Sequence, residues 1–251
     1  MATHHEIPHN GADSPDRGAL DVLRGSKVVE SQRISWGSNY TFLVGLDHGR
    51  EEPFKAVYKP RDGERPLHDF PRGSLYRREY AAYVVARALG WPLIPPTVIR
   101  EGPYGIGSFQ QYVEADPDAT YFDLAEERRD ELLPFAVFDA ISNNADRKAG
   151  HCLLGEDGRI WSIDHGLTFH AVFKVRSVML DLWGTQIPKP LILDIQRLAE
   201  ELAHGSAVAL ELSTVLEPSE IEALQARLAA LIKEAFTPKL NPYVNVPWPL
   251  V

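Results

Sequence analysis

The feature of this sequence that most narrows its possible folds is a carboxylate on the apolar stripe of a helix. In SLYRREYAAYVVARALG, Glu79 shares one stripe with Leu75, Ala82, Ala86 and Leu89, at steps of four, three, four and three. Ser74 as the cap, Gly90 as the stop and the Trp-Pro pair beyond it predict a single helix of roughly four turns. The apolar face has to pack, so Glu79 faces an interior. Leaving it unpaired there costs several kcal/mol, on the order of a full desolvation penalty, so the fold must bring a cation to it. Lys59 is the natural candidate: it ends the strand-like run FKAVYK and is held extended by Pro60. The plainer readings are an ordinary edge-strand lysine, and a Glu79 in a purely structural pair or turned to solvent beside Arg78.

The surroundings of this pair alternate in type. From Val28 to Pro60 the runs VVESQRIS, TFLVGL and FKAVYK, broken by WGSN and DHGREE, predict three antiparallel strands. VIREGPYGIGSFQQYVEAD predicts a hairpin; Gly102, Gly105 and Gly107 read as its turn, not as a phosphate loop, because they do not lie between a strand and a helix. After Asp130 the pattern becomes helical. DELLPFAVFDAIS is apolar on nearly all sides, and further helices are predicted near 189–204 and from Pro218 to Phe236, the last with Ile221, Leu224, Leu228 and Leu231 in a stripe. The tail NPYVNVPWPLV reads as an extended strap. Residues 1–20 read as a disordered leader, 21–115 as a small sheet-and-helix lobe and 116–251 as a larger, mainly helical one.

The chain has 251 residues, enough for two small lobes sharing a cleft. Its formal net charge of -9 argues against holding nucleic acid or an anionic membrane by long-range attraction. Cys152 is the only cysteine, which fits a reducing, cytoplasmic setting, and no run reaches the ~18 apolar residues of a membrane helix. Stable membrane anchoring is therefore not expected.

The densest polar cluster is SNNADRKAGHCLLGEDGRIWSIDHG. CLL and RIWSI flank the turn GEDG and predict a hairpin with His151 and Asp164 at its open end, a few residues from Asp146. A hairpin without function would simply carry solvated residues there.

The ordered set AVYKPRDGERPLHDFPRGSLYRREYAAY, NNADRKAGH and IDHGLTFH resembles a small bacterial branch of the phosphatidylinositol 3-/4-kinase-like superfamily, over about 28–203. The resemblance implies an α+β, two-lobed protein-kinase-like fold: an antiparallel-sheet N-lobe with one helix, and a mainly helical C-lobe carrying a catalytic hairpin. It implies ATP with Mg²⁺ or Mn²⁺ as cofactors. Lys59 would meet the α/β phosphates and Glu79 would orient it; Asp146 would take or steer the proton of the attacking hydroxyl, and Arg147 would brace that loop. Asp164 would bind the metal. Backbone groups of Gln111, Tyr112, Val113 and Glu114 would hold adenine, and the loop ISWGSNY, with Gly37 and Ser38, would cover the phosphates.

Three departures mark this chain. The covering loop has the single glycine Gly37. His151 stands where the superfamily usually has a metal-binding asparagine: it could favour manganese as a ligand, or one metal could suffice, or His151 could hold Asp146 or Asp164. Asn143 and Asn144 could supply the missing amide or simply cap the loop. The segment HGLTFHAVFKVRSVML lacks the landmarks of a protein-kinase activation segment; its His170, Lys174 and Arg176, with Lys148, are candidates to receive an anionic substrate, or form a solvated face. The expected activity is γ-phosphate transfer from ATP to a hydroxyl on a polar small molecule, an inositol-type headgroup or a protein. The alternatives are a nucleotide-binding pseudokinase regulating a partner, and an AMP-transferase.

Overall fold

The computed structural model describes residues 16–34 and 39–251. The chain enters through α1 (Arg17–Gly25), which buries Leu20 and Leu23 against the later hairpin strands. This corrects the expected leader: from Arg17 onward the segment is helical because that apolar pair gives it a face to bury. Residues 1–15 lie outside the described residues.

Strands β1 (Val28–Ile34), β2 (Thr41–Leu46), β3 (Phe54–Pro60), β4 (Thr97–Gly102) and β5 (Gly105–Gln111) form one antiparallel sheet in the order β1-β2-β3-β5-β4. On β3, Ala56 and Tyr58 are buried while Lys59 lies on the alternate face, as the two-residue period of a strand requires. Lys59 pairs with Ser108 and Pro60 with Gly107. A Cβ at Gly107 would lie 2.4 Å from the Lys59 carbonyl oxygen, so that glycine permits the backbone approach that fixes the end of β3.

Helix α2 (Leu75–Leu89) lies between β3 and β4 in the chain and ends at Gly90, whose φ of 74° closes the last turn. Ser74 sits at the N-cap position without capping through its side chain: its Oγ donates to the Pro71 carbonyl at 2.7 Å. Glu64 takes that role from the preceding loop, its Oε1 accepting from the Tyr76 amide at 2.9 Å. Besides Glu79, α2 buries Arg78, which pairs with Glu220 and donates to the Thr168 carbonyl at 2.5 Å. Two adjacent charges on one helix thus point into two different interiors.

The second lobe contains α3 (Tyr121–Leu124), α4 (Arg129–Ser142), the two-stranded ribbon β6 (Cys152–Leu154) and β7 (Ile160–Ser162), then α5 (Lys189–Ala203), α6 (Ala207–Ser213) and α7 (Pro218–Glu234). Leu132, Phe135, Phe138 and Ile141 of α4 are fully or nearly fully buried, as its all-round apolarity predicts. The helices α3 and α6, too short to show periodicity, are additions to the sequence reading. α2 packs on β4 and β5 and also on α5 and α6, so it is shared by both lobes. Beyond α7 the tail runs back along the lobe: the Ser177 amide donates to Asn245 and the Ala149 amide to Leu250, at 3.0 and 2.9 Å. Among the described residues no helix is long and apolar enough to cross a membrane.

Candidate active site

The expected cation does reach Glu79. Lys59 Nζ donates to the Glu79 carboxylate and, at 2.8 Å, to Asp164 Oδ1. Glu79 also accepts the His165 amide at 3.0 Å, so this nearly fully buried acid is satisfied on both oxygens. Burial opposes the Lys59 ammonium, but Asp164 and Glu79 outweigh it and hold its pKa above the ordinary value. Lys59 is the main reason Asp164 titrates well below the usual carboxylate range; for Glu79, burial dominates and pushes the pKa up. At working pH the cluster is a lysine between two acids.

Asp164 follows β7 and has a φ of 60°, a left-handed conformation that costs a non-glycine residue energy and is held by its surroundings. Its side chain remains 48% exposed, open to the cleft. His151 Nε2 lies 3.3 Å from Asp164 Oδ2, the proximity expected from hairpin pairing, with Cys152 opposite Ser162. Burial pulls the His151 pKa down to about 4, so the imidazole is neutral near pH 7. Its Nδ1 accepts from the Lys148 amide at 3.4 Å, which places the ring proton on Nε2, toward Asp164.

Asp146 lines the same cleft of about 170 Å³, along with Lys59, Glu79, Lys148, Asp164 and Tyr40. Burial raises its pKa to about 6, opposed chiefly by Lys148, whose Nζ is 3.4 Å away. The Asp146 amide is held by Asn144 Oδ1 at 3.0 Å. Arg147 does not enter the cleft. Fully buried, it grips Asp139 of α4 through two bonds of 2.8 Å, bonds Ser162 Oγ at 2.7 Å and reaches the His151 and Ile163 carbonyls. Its side chain is spent inside the second lobe and does not line the cleft.

Asn143 and Asn144 are both fully buried. Asn143 caps α4 with a left-handed φ of 55° and bonds the His170 and Val172 carbonyls; Asn144 Nδ2 donates to Asp139. Neither amide faces the cleft. Lys174 is spent on Asp69 at 2.8 Å, and the His170 ring packs edge-on to Phe70, so these two brace the segment; Arg176 is exposed and close enough for its charge to act on Asp146. Gly37 and Ser38 lie outside the described residues.

At the lobe junction the Tyr112 amide is used by the Lys55 carbonyl, and the Glu114 carbonyl by the Glu156 amide. The Gln111 amide donates to the Pro96 carbonyl at 2.8 Å, but Pro96 has no N–H to return the bond to the Gln111 carbonyl. Among the described residues no group of three His, Cys, Asp or Glu side chains forms a metal cage. A divalent ion at Asp164 fits only if phosphate oxygens and water complete its shell, as for magnesium or manganese on a nucleotide.

Sequence reasoning missed Asp139, Glu220 and Asp69. Glu220 was within reach of inspection, since it sits four residues before Leu224 on the α7 stripe; Asp139 was hidden in a helix read as apolar.

The five-stranded sheet, its shared helix and the hairpin-bearing helical lobe define a protein-kinase-like fold. Solved structures agree: the Golgi casein kinase with Mn/ADP bound superposes with a TM-score of 0.59 at 17% identity, covering 87% of this chain and 75% of that one. For hydra Fam20 with sugar the values are 0.56, 15%, 86% and 87%, and for the Helicobacter pylori proinflammatory kinase CtkA 0.51, 11%, 84% and 93%. No family model matches the chain. Protein Rv2133c of Mycobacterium tuberculosis is 36% identical over 263 residues, spanning 91% of this chain and 94% of its own, and the chain belongs to the same family.

Proposed function

We propose that this protein is an ATP- and divalent-metal-dependent phosphotransferase of the phosphatidylinositol 3-/4-kinase-like type, acting on a hydroxyl acceptor in the cytoplasm. The observation that carries the reading is the double engagement of Lys59 with Glu79 and Asp164 in a cleft that also holds Asp146. A lysine, a metal-seeking carboxylate and a carboxylate of raised pKa are what in-line phosphoryl transfer needs, since that chemistry rests on positioning and charge neutralisation.

In this reading the lobes meet near residue 115. The Gln111 carbonyl, left without a return bond by Pro96, accepts from the adenine amino group. Lys59, oriented by Glu79, would meet the phosphates, and Asp164 would hold a divalent ion, which would supply charge neutralisation there. The acceptor oxygen bonds to the γ-phosphorus as the bond to the ADP oxygen breaks, and Asp146 takes the hydroxyl proton. His151 stands beside Asp164, its Nε2 3.3 Å from Oδ2, and Arg147 with Asp139 keeps the loop in place.

The test is thermal shift with ATP and with ADP in Mg²⁺ and in Mn²⁺, followed by product analysis. ATP plus metal is expected to raise the Tm, Asp164→Ala to remove most of that rise, and turnover to release ADP. Release of pyrophosphate would assign AMP transfer, and binding without either product would assign a pseudokinase.

A further inference from the structure

Between β3 and α2 the loop 61–74 walls a second cavity of about 470 Å³, within the ~300–1,000 Å³ range of small-molecule sites. It shares Glu64, Leu67 and Leu75 with the cleft that holds Asp146, so the two spaces adjoin. In a chain of net charge -9, three arginines line it: Arg61, Arg65 and Arg72.

Its two acids are already engaged. Asp62 Oδ1 accepts from Arg61 Nε at 3.0 Å, and Glu64 caps the start of α2. Arg65 and Arg72 are exposed, and among the described residues neither guanidinium has an ion pair or hydrogen bond. The rest of the wall is apolar, with Leu67, Phe70 and Leu75.

The loop is also built to hold its shape. The Tyr40 amide donates to the Gly63 carbonyl at 2.9 Å, and the Arg65 amide to Asn39 Oδ1 at 2.7 Å. Gly73 has a φ of 69°, and a Cβ there would meet Arg61 Cγ at 3.0 Å, so only glycine lets the chain turn back beside Arg61. The Asp69–Lys174 pair ties the far side to the second lobe.

We propose that this pocket is the acceptor subsite, and that the acceptor is a small hydroxyl-bearing molecule carrying a phosphomonoester, which Arg65 and Arg72 bind through their guanidinium forks while its hydroxyl reaches Asp146. This rests on the phosphotransferase reading and names its substrate class. A half-open cavity of this volume with an apolar wall suits a compact molecule better than an extended acidic peptide.

Calorimetric titration of the full chain with inorganic phosphate, without nucleotide, probes the pocket. Arg65→Gln/Arg72→Gln is expected to weaken phosphate binding at least ~10-fold with the apo Tm within about 2 °C of wild type, because both side chains are exposed. With ATP and Mn²⁺, glycerol 3-phosphate is expected to support ADP release better than glycerol, and the double variant to raise its KM at least ~10-fold. Unchanged phosphate binding in the double variant overturns the pocket whatever the nucleotide data show. Equal use of glycerol and glycerol 3-phosphate, or ADP release only with a serine-bearing oligoglutamate peptide, overturns the substrate class. Loss of phosphate binding in the variant alongside no response of wild type to nucleotide overturns the phosphotransferase reading and the acceptor assignment with it.

Discussion

Lys59 and Asp164, 105 residues apart in the chain, are joined by an ion pair of 2.8 Å in a cleft whose only other contact with the Lys59 ammonium is Glu79, among the described residues. In the proposed reading the lysine stands between the acid that would orient it and the acid that would face the metal, and the phosphates of a metal-bound nucleotide would replace Asp164 toward Lys59 while the Glu79 contact stays.

Replacing Lys59 by Met keeps the stem and removes the charge, leaving the buried Glu79 with only the His165 amide. The expected loss is about 3 kcal/mol of stability in urea unfolding, together with loss of the nucleotide-induced Tm shift. Adding Glu79→Leu should recover part of that stability; strictly additive losses would mean the two are not coupled.

Asp146, with a pKa raised by burial to about 6, fixes a pH response. If it accepts the hydroxyl proton, kcat/KM is expected to rise about tenfold per unit below pH 6 and level off above it. The stability effect has the opposite sign. The folded pKa exceeds the unfolded value, so the contribution is present below the unfolded pKa near 3.8 and is lost as pH rises through about 6. Asp146→Asn is therefore expected to be the more stable protein at pH 8, by about 1–3 kcal/mol, with little difference at pH 3.5. Wild-type turnover in Asp146→Asn would remove its assigned role.

Arg147 and Asp139 are both fully buried and paired. Removing either charge strands the other, so Arg147→Ala is expected to cost about 3–5 kcal/mol. Arg147→Lys should also be strongly destabilising, because an ammonium cannot reproduce the two-pronged bond to Asp139 while bonding Ser162. A lysine variant as stable as wild type would show that the fork is not what holds the loop.

His151→Asn separates holding from ligation. If His151 only holds Asp164, the ratio of nucleotide Tm shifts in Mn²⁺ and Mg²⁺ stays the same as in wild type while both shrink modestly. A swing toward Mg²⁺ would make the imidazole a metal ligand, since nitrogen donors favour manganese over magnesium.

Local signals determined much of this protein. The short apolar runs between turn-forming breaks set the strands, the stripe with Glu79 set α2 and its inward carboxylate, and the turn GEDG brought His151 to Asp164, because hydrogen-bonded neighbours in a hairpin need no distant partner. What the sequence did not disclose were the partners of buried and half-buried charges: Arg78 with Glu220, Arg147 with Asp139 and Lys174 with Asp69 are separated by 142, 8 and 105 residues. Periodicity says that a side chain points inward but not what it meets there. Only the packing of the lobes decides that, because a charge removed from water is stabilised by whichever opposite charge the fold carries to it, regardless of the chain between them.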